Sequence, residues 1–309
     1  MAAGKRFGYR GDMGLKIFIL LLVFIFGYTS SSFACTSFAL YGSQVFYGMN
    51  FDYFAVPLKF LIESGPGMNV FHLSFLYEQT VKKPEFKNYF AKTCGMNDKG
   101  LFCACQEIEP YSEGIEELSN NEIHIGDQYD TISTCADVDG VQDFIKGKKA
   151  VQYIGPSVHN LFADINGNAI VTETDNKNNF LTGMEGDFMV MSNFANHSLA
   201  GRSYGDADGS GADRYKTACE YLSENKDTFS VDKGFDLLEK VICREEDCTT
   251  LSSMVFLPRR NRIYISLNRN YGKIWEVSLD RKTIGPYKGG DTDSRVSFGA
   301  GGILSTDLR

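Results

Sequence analysis

The chain is short of proline and histidine and carries no long basic or apolar run, and each shortage excludes something. Seven prolines among 309 residues, with 43% hydrophobic residues, exclude a low-complexity or disordered polypeptide. Four histidines and no paired Cys-X-X-Cys motif give a metal centre little support, so no metal ligands are assigned. The formal charge is −8; Lys5, Arg6, Arg10 and Lys16 against Asp12 give residues 1–34 a charge of +3, which leaves −11 on the remainder. An acidic chain without a basic run argues against nucleic acid or an anionic membrane as its main partner. The apolar run 17–28 is twelve residues long, short of the ~20 that a bilayer span needs.

What is present begins at that run. It follows Lys16 and leads into small residues, the layout of a signal peptide, with Ser32 and Ala34 at the −3 and −1 positions of a cleavage site. The expectation is an export signal over 1–34 and a single domain over 35–309, located in the periplasm or outside the cell, with no membrane contact after cleavage. An uncleaved anchor and a lipoprotein signal are the competing readings, although the latter usually has an apolar residue where Ser32 stands. Cleavage after Ala34 makes Cys35 the first residue. A thiol and a free α-amine then share one carbon, with ordinary pKa values of about 8.5 and about 7.7–8.0. The amine can be neutral near physiological pH and take the thiol's proton, which is the logic of an N-terminal nucleophile.

Seven cysteines remain once Cys35 is set aside, an odd number. Export permits disulfides, and Cys243 with Cys248 would close a short loop. Cys103 and Cys105 would share one face of a strand.

Along the chain, 36–40 and 45–50 read as a hairpin that returns Asn50-Phe51-Asp52-Tyr53 beside Cys35. Residues 54–66 read as an irregular loop, 70–77 as a strand, and 82–92 as an exposed connection. The Gly95–Gly100 turn leads into a buried strand over 101–106. Two short helices, near 128–136 and 138–145, are expected over one sheet face. A second hairpin, 158–164 with 169–174, turns on Asn166-Gly167-Asn168. A strand over 188–193 precedes a glycine-rich loop, 200–211, which could serve as a substrate lid. Helices over 212–225 and 232–243 and strands over 251–257, 262–267 and 273–277 follow, and the tail after Asp280 reads as loosely ordered. The aromatic segment 51–60 suggests an apolar pocket or plain core.

Acyl transfer needs a carboxylate or carbonyl to hold the amine, and Asp52 lies one hairpin away. It also needs donors to the developing oxyanion. Asn193 could supply its amide there, or simply cap a strand end. Arg214, on the helix behind the glycine-rich loop, could hold the thiolate or a substrate carboxylate, or make a surface ion pair.

Cys35-Thr36-Ser37-Phe38 followed by Gly48-Met49-Asn50-Phe51-Asp52-Tyr53 resembles the opening of the choloylglycine hydrolase and penicillin V acylase family. Gly95-Met96-Asn97-Asp98-Lys99-Gly100-Leu101 resembles that family's MNEKGL turn, and 158–174 its next hairpin. Ser192-Asn193, Gly211-Ala212-Asp213-Arg214-Tyr215 and Ser252-Ser253-Met254-Val255-Phe256 resemble later motifs, in order. The resemblance implies an α+β fold, a four-layer αββα sandwich of the N-terminal nucleophile type. It implies Cys35 as nucleophile and amine base, Asp52 orienting the amine, Asn193 binding the oxyanion and Arg214 polarising the centre. A further backbone N–H for the oxyanion falls near Glu107.

One position departs from the pattern. Met49 stands where the bile-salt and penicillin V enzymes have arginine, which takes a cation from the thiolate and puts bile-salt activity in doubt; the isopenicillin acyltransferase branch has a neutral residue there. The implied activity is cleavage of a small-molecule N-acyl amide through a thioester, with no metal or organic cofactor. Relatives are often tetramers, so a homo-oligomer is possible. An acyltransferase, and a non-catalytic binding protein or lipoprotein on the same scaffold, are the alternatives.

Overall fold

Thr36–Tyr41 (β1) and Val45–Tyr53 (β2) pair antiparallel from Thr36↔Asn50 to Tyr41↔Val45, closing over Gly42-Ser43-Gln44. The structure is a computed structural model that describes residues 34–65, 67–77, 87–108, 114–115, 117–153, 157–244, 248–291 and 293–308. The expected export signal, as far as residue 33, and residues 82–86 of the expected connection lie outside the described residues.

Five strands follow the first hairpin: β3 (Leu58–Gly65), β4 (Met68–Leu76), β5 (Phe90–Asn97), β6 (Phe102–Glu107) and β7 (Glu122–His124). A 3-10 segment, Ile125–Ser133, and α1 (Val138–Ile145) come next. Then come β8 (Lys149–Val151), β9 (Val158–Ala163), β10 (Ala169–Thr174), β11 (Asn179–Gly183) and β12 (Phe188–Met191). Two helices, α2 (Ala212–Asn225) and α3 (Val231–Lys240), precede β13 (Thr249–Leu257), β14 (Arg262–Leu267) and β15 (Ile274–Ser278). The chain closes with β16 (Thr283–Lys288), β17 (Val296–Ser297) and β18 (Ile303–Leu304).

The result is an α+β fold with two large antiparallel sheets. The first runs β12-β1-β2-β13-β14-β15-β16-β17 and the second β11-β10-β9-β6-β5-β4-β3-β18. Along β1 and β2 alternate side chains go to opposite faces. Met49, Phe51 and Tyr53 join a core with Phe71, Phe102 and Phe256. Phe102 of the second sheet meets Phe256 of the first at 4.9 Å between ring centroids and stacks on Tyr47 at 5.1 Å. Phe38, Leu40 and Phe46 go the other way, against Leu222, Phe235, Leu237 and Leu238 of α2 and α3. Tyr129, Ile132, Val138 and Val141 cover Val70, Cys103 and Phe162 of the second sheet, together with Leu101 just before β6.

Three sequence expectations are corrected. The loop expected at 54–66 contains β3, whose alternating Leu58, Phe60 and Ile62 point into the core; flanking prolines at 57 and 66 disguise it. The end of the expected connection, from Phe90, is already β5. The tail after Asp280 is not loose. β16 pairs with β15, β18 pairs with β3, and Leu308 is buried, so the tail joins the edges of both sheets. No two of the eight cysteines form a disulfide, so Cys243 and Cys248 are neighbours without a bridge.

Candidate active site

Cys35 sits one residue before β1, so the hairpin places it opposite the end of β2. Burial leaves it 4% exposed, and Sγ lies 3.7 Å from the backbone oxygen of Asp52. Desolvation, then the neighbouring Asp52 charge, pushes the thiol pKa well up, and Arg214 offsets only part of this. Met49 does not help: it is fully buried in the apolar core between the sheets.

The Asp52 side chain faces the helices. Its neighbour two residues back, Asn50, donates Nδ2 to the Leu238 oxygen of α3 at 2.7 Å. Opposite Asp52, β13 carries an irregularity between Thr250 and Ser252, and bulges of this kind re-aim side chains beside active sites. Both Asp52 carboxyl oxygens are buried and neither makes a well-formed hydrogen bond among the described residues. Desolvation raises its pKa to about 8, although Thr250 and Arg214 pull the other way.

Arg214 enters from the first turn of α2 and is itself buried. Nη1 donates to the Cys35 backbone oxygen at 2.7 Å and to Thr36 Oγ1 at 2.8 Å. Nη2 donates to Asn193 Oδ1 at 2.9 Å. The guanidinium therefore holds the backbone around the thiol and fixes the Asn193 amide, rather than bonding the sulfur. With Oδ1 taken, Asn193 Nδ2 faces the second sheet and donates to the Glu107 backbone oxygen at 2.6 Å. One of its two N–H bonds remains for a ligand. The Glu107 N–H lies on the same side. Ile108 donates to Ser157 in the β6–β9 register, so antiparallel alternation turns the Glu107 N–H away from β9.

The five residues singled out in the sequence are thus brought together around one spot. Beside it opens a cavity of about 400 Å³ lined by Cys35, Phe51, Tyr53, Phe75, Tyr77 and Glu107, among others. Of the aromatic 51–60 segment, Phe51 and Tyr53 line the cavity, whereas Phe60 is plain core. Residues 200–211, expected as a lid, do not line this cavity; part of that loop forms a capped turn, Tyr204–Asp206, elsewhere.

Sequence reasoning missed the support behind Asn193. Glu173, fully buried on β10, accepts from His159 Nδ1 at 3.0 Å and from the backbone N–H groups of Asn196 and His197, each at 2.8 Å. His159 Nε2 lies 2.7 Å from the backbone oxygen of Ser192. Burial opposes the Glu173 charge, but its hydrogen bonds to His159 and His197 prevail and lower its pKa to about 2. The only sequence signal was a glutamate at the end of the 158–174 hairpin. The Glu107 carboxyl was also missed, having been considered only for its backbone.

No protein-family model and no curated protein matches the chain. Solved structures do. A cysteine-to-alanine mutant of a conjugated bile acid hydrolase from Clostridium perfringens matches with TM-score 0.60 at 17% identity, over 84% of this chain and 98% of that one. An arginine-to-leucine variant of the same hydrolase matches with TM-score 0.58, also at 17% identity and with the same coverage. A penicillin V acylase from Agrobacterium tumefaciens matches with TM-score 0.59 at 14% identity, over 87% of this chain and 99% of that one. The fold built around Cys35 is therefore one this chain shares, nearly end to end, with a conjugated bile acid hydrolase and a penicillin V acylase.

Proposed function

We propose that this chain is an exported cysteine hydrolase of linear, non-peptide amides, acting on N-acyl substrates through a thioester. Removal of 1–34 leaves 35–309 as one domain on a four-layer αββα sandwich of the N-terminal nucleophile type. The observation that carries this reading is the convergence of Cys35, Asp52, Asn193 and Arg214 beside one cavity. The shared fold with two amide hydrolases supports it.

In this mechanism the freed amine of Cys35 takes the thiol proton, and Asp52 holds the resulting ammonium. That answers the buried carboxyl, because a nearby positive charge favours the ionised form that desolvation opposes. The sulfur attacks the amide carbonyl, and the oxyanion accepts hydrogen bonds from Asn193 Nδ2 and the Glu107 N–H. The ammonium then protonates the departing amine. Water, deprotonated by the same amine, releases the acid from the thioester.

The test is turnover of N-acyl substrates by protein whose N-terminal sequence begins at Cys35. Cys35→Ala abolishes hydrolysis if the reading is right; unchanged turnover, or an N-terminus elsewhere, overturns it. A panel of bile-salt conjugates, penicillin V, N-acyl homoserine lactones and N-acyl amino acids separates the substrate classes.

A further inference from the structure

The cavity beside Cys35 contains a carboxyl that no described residue answers. Glu107 ends β6 with its carboxyl in the cavity wall, and that carboxyl makes no hydrogen bond or ion pair with a described residue. The cation on the same wall, Lys92, is already committed: its Nζ sits 2.8 Å from Glu63 Oε2. Asp127 adds a second carboxyl at the mouth. The imidazole facing it, His124, has a buried Nδ1 with no partner among the described residues; in the tautomer protonated at Nε2 this atom accepts a hydrogen bond.

The rest of the wall is aromatic. Phe75 and Tyr77 meet edge to face at 5.8 Å, and Tyr77 and Tyr89 do so at 6.4 Å, so ring faces turn in different directions around the space. Tyr89 and Tyr153 remain 49% and 37% exposed at the opening. Ring faces attract cations, most strongly where water is excluded. A half-buried carboxyl without a partner among the described residues, with aromatic faces around it, favours a cation over an anion; a bound cation stabilises its ionised form and sends its proton to solvent.

We propose that the part of the substrate held in this cavity carries a cationic group, an alkyl- or arylalkyl-ammonium on an apolar body, received by the Glu107 carboxylate and the Tyr77 and Tyr89 rings. Glu107 is then the residue that sets substrate charge. The inference rests on the hydrolase reading for what is cleaved, but its test does not need turnover.

Cys35→Ala protein, which cannot react, is titrated calorimetrically with 4-phenylbutylammonium, 4-phenylbutanol and 4-phenylbutyrate, probes of one shape and three charges. The ammonium binds at least tenfold more tightly than the alcohol, and the carboxylate binds weakest. Glu107→Gln in the same background removes that preference while the alcohol binds as before. In the unmutated chain the ammonium slows alkylation of Cys35 by a neutral thiol reagent, which places it in this cavity. Equal binding of the three probes, no binding, or a preference that survives Glu107→Gln overturns the proposal. Loss of amide hydrolysis activity bears on the enzyme reading alone, and loss of charge preference on this one alone.

Discussion

Nη2 of Arg214 donates to Oδ1 of Asn193 at 2.9 Å, and that bond decides which end of the amide faces Glu107. The same guanidinium grips the Cys35 carbonyl through Nη1, so one planar group sets both the backbone of the proposed nucleophile and the proposed oxyanion donor. A lysine ammonium has no second arm to do this. Arg214→Lys lowers kcat by about 100-fold with KM changed only a few-fold, a loss comparable to that of one oxyanion donor. Steady-state kinetics on the folded variant checks it; a pure KM effect counts against the assignment.

Asn193→Ala removes the proposed oxyanion donor itself. The expected loss is about 10²–10³ in kcat, with the thermal midpoint nearly unchanged. If Asn193 only capped a strand end, the midpoint would fall and kcat would hold.

Asp52 predicts a change of sign on maturation. While the Ala34–Cys35 bond is intact, the native carboxyl titrates at about 8 against an ordinary 3.8. The folded state then binds the proton that the unfolded chain has lost, so stability falls as pH rises from about 4 to 8. In that form Asp52→Asn is stabilising at pH 7, on the order of 1–4 kcal/mol. Once Cys35 is the N-terminus, the same substitution removes the ammonium's partner and costs both stability and activity. Denaturant titrations of the two forms, with and without Asp52→Asn, measure both signs.

Glu173 titrates the opposite way. Its folded pKa of about 2 lies below the ordinary 4.5. It therefore contributes stability that is present above pH ~4.5 and is lost as pH falls towards 2. Glu173→Gln destabilises the chain at pH 7 by roughly 3 kcal/mol and flattens the acid limb of the stability curve. A stability-against-pH series on both proteins reads this directly.

Gly211 precedes α2 with φ of +72°, and a Cβ there would run into Ser192 Oγ and the Arg214 guanidinium. Gly211→Ala strains the backbone and pushes Arg214 off its partners. Helix content by circular dichroism stays the same, while hydrolysis falls at least tenfold.

Much of this was legible in the sequence where short-range rules act. The β1–β2 hairpin, the β9–β10 hairpin and α2 fall where alternation, turn residues and helical periodicity put them. β3 and β16 were hidden. Prolines bracket β3, and β16 holds Gly285 and Pro286, residues that argue against a strand unless an edge or an irregular register accepts them. Their strand state comes from partners far along the chain, which no local pattern reports.

The sequence by itself determined the chemistry on offer: a cysteine placed where an export signal would end, a carboxylate one hairpin away, and an acidic chain with no basic run. Those depend on residue identity and short spacing. Only the tertiary structure decided that Arg214 binds the Cys35 carbonyl and Asn193 rather than the sulfur, and that the Glu107 carboxyl lines an aromatic cavity without a partner among the described residues. Contacts across 179 and 21 residues of separation, and the loss of water around a buried charge, exist only once both sheets have closed.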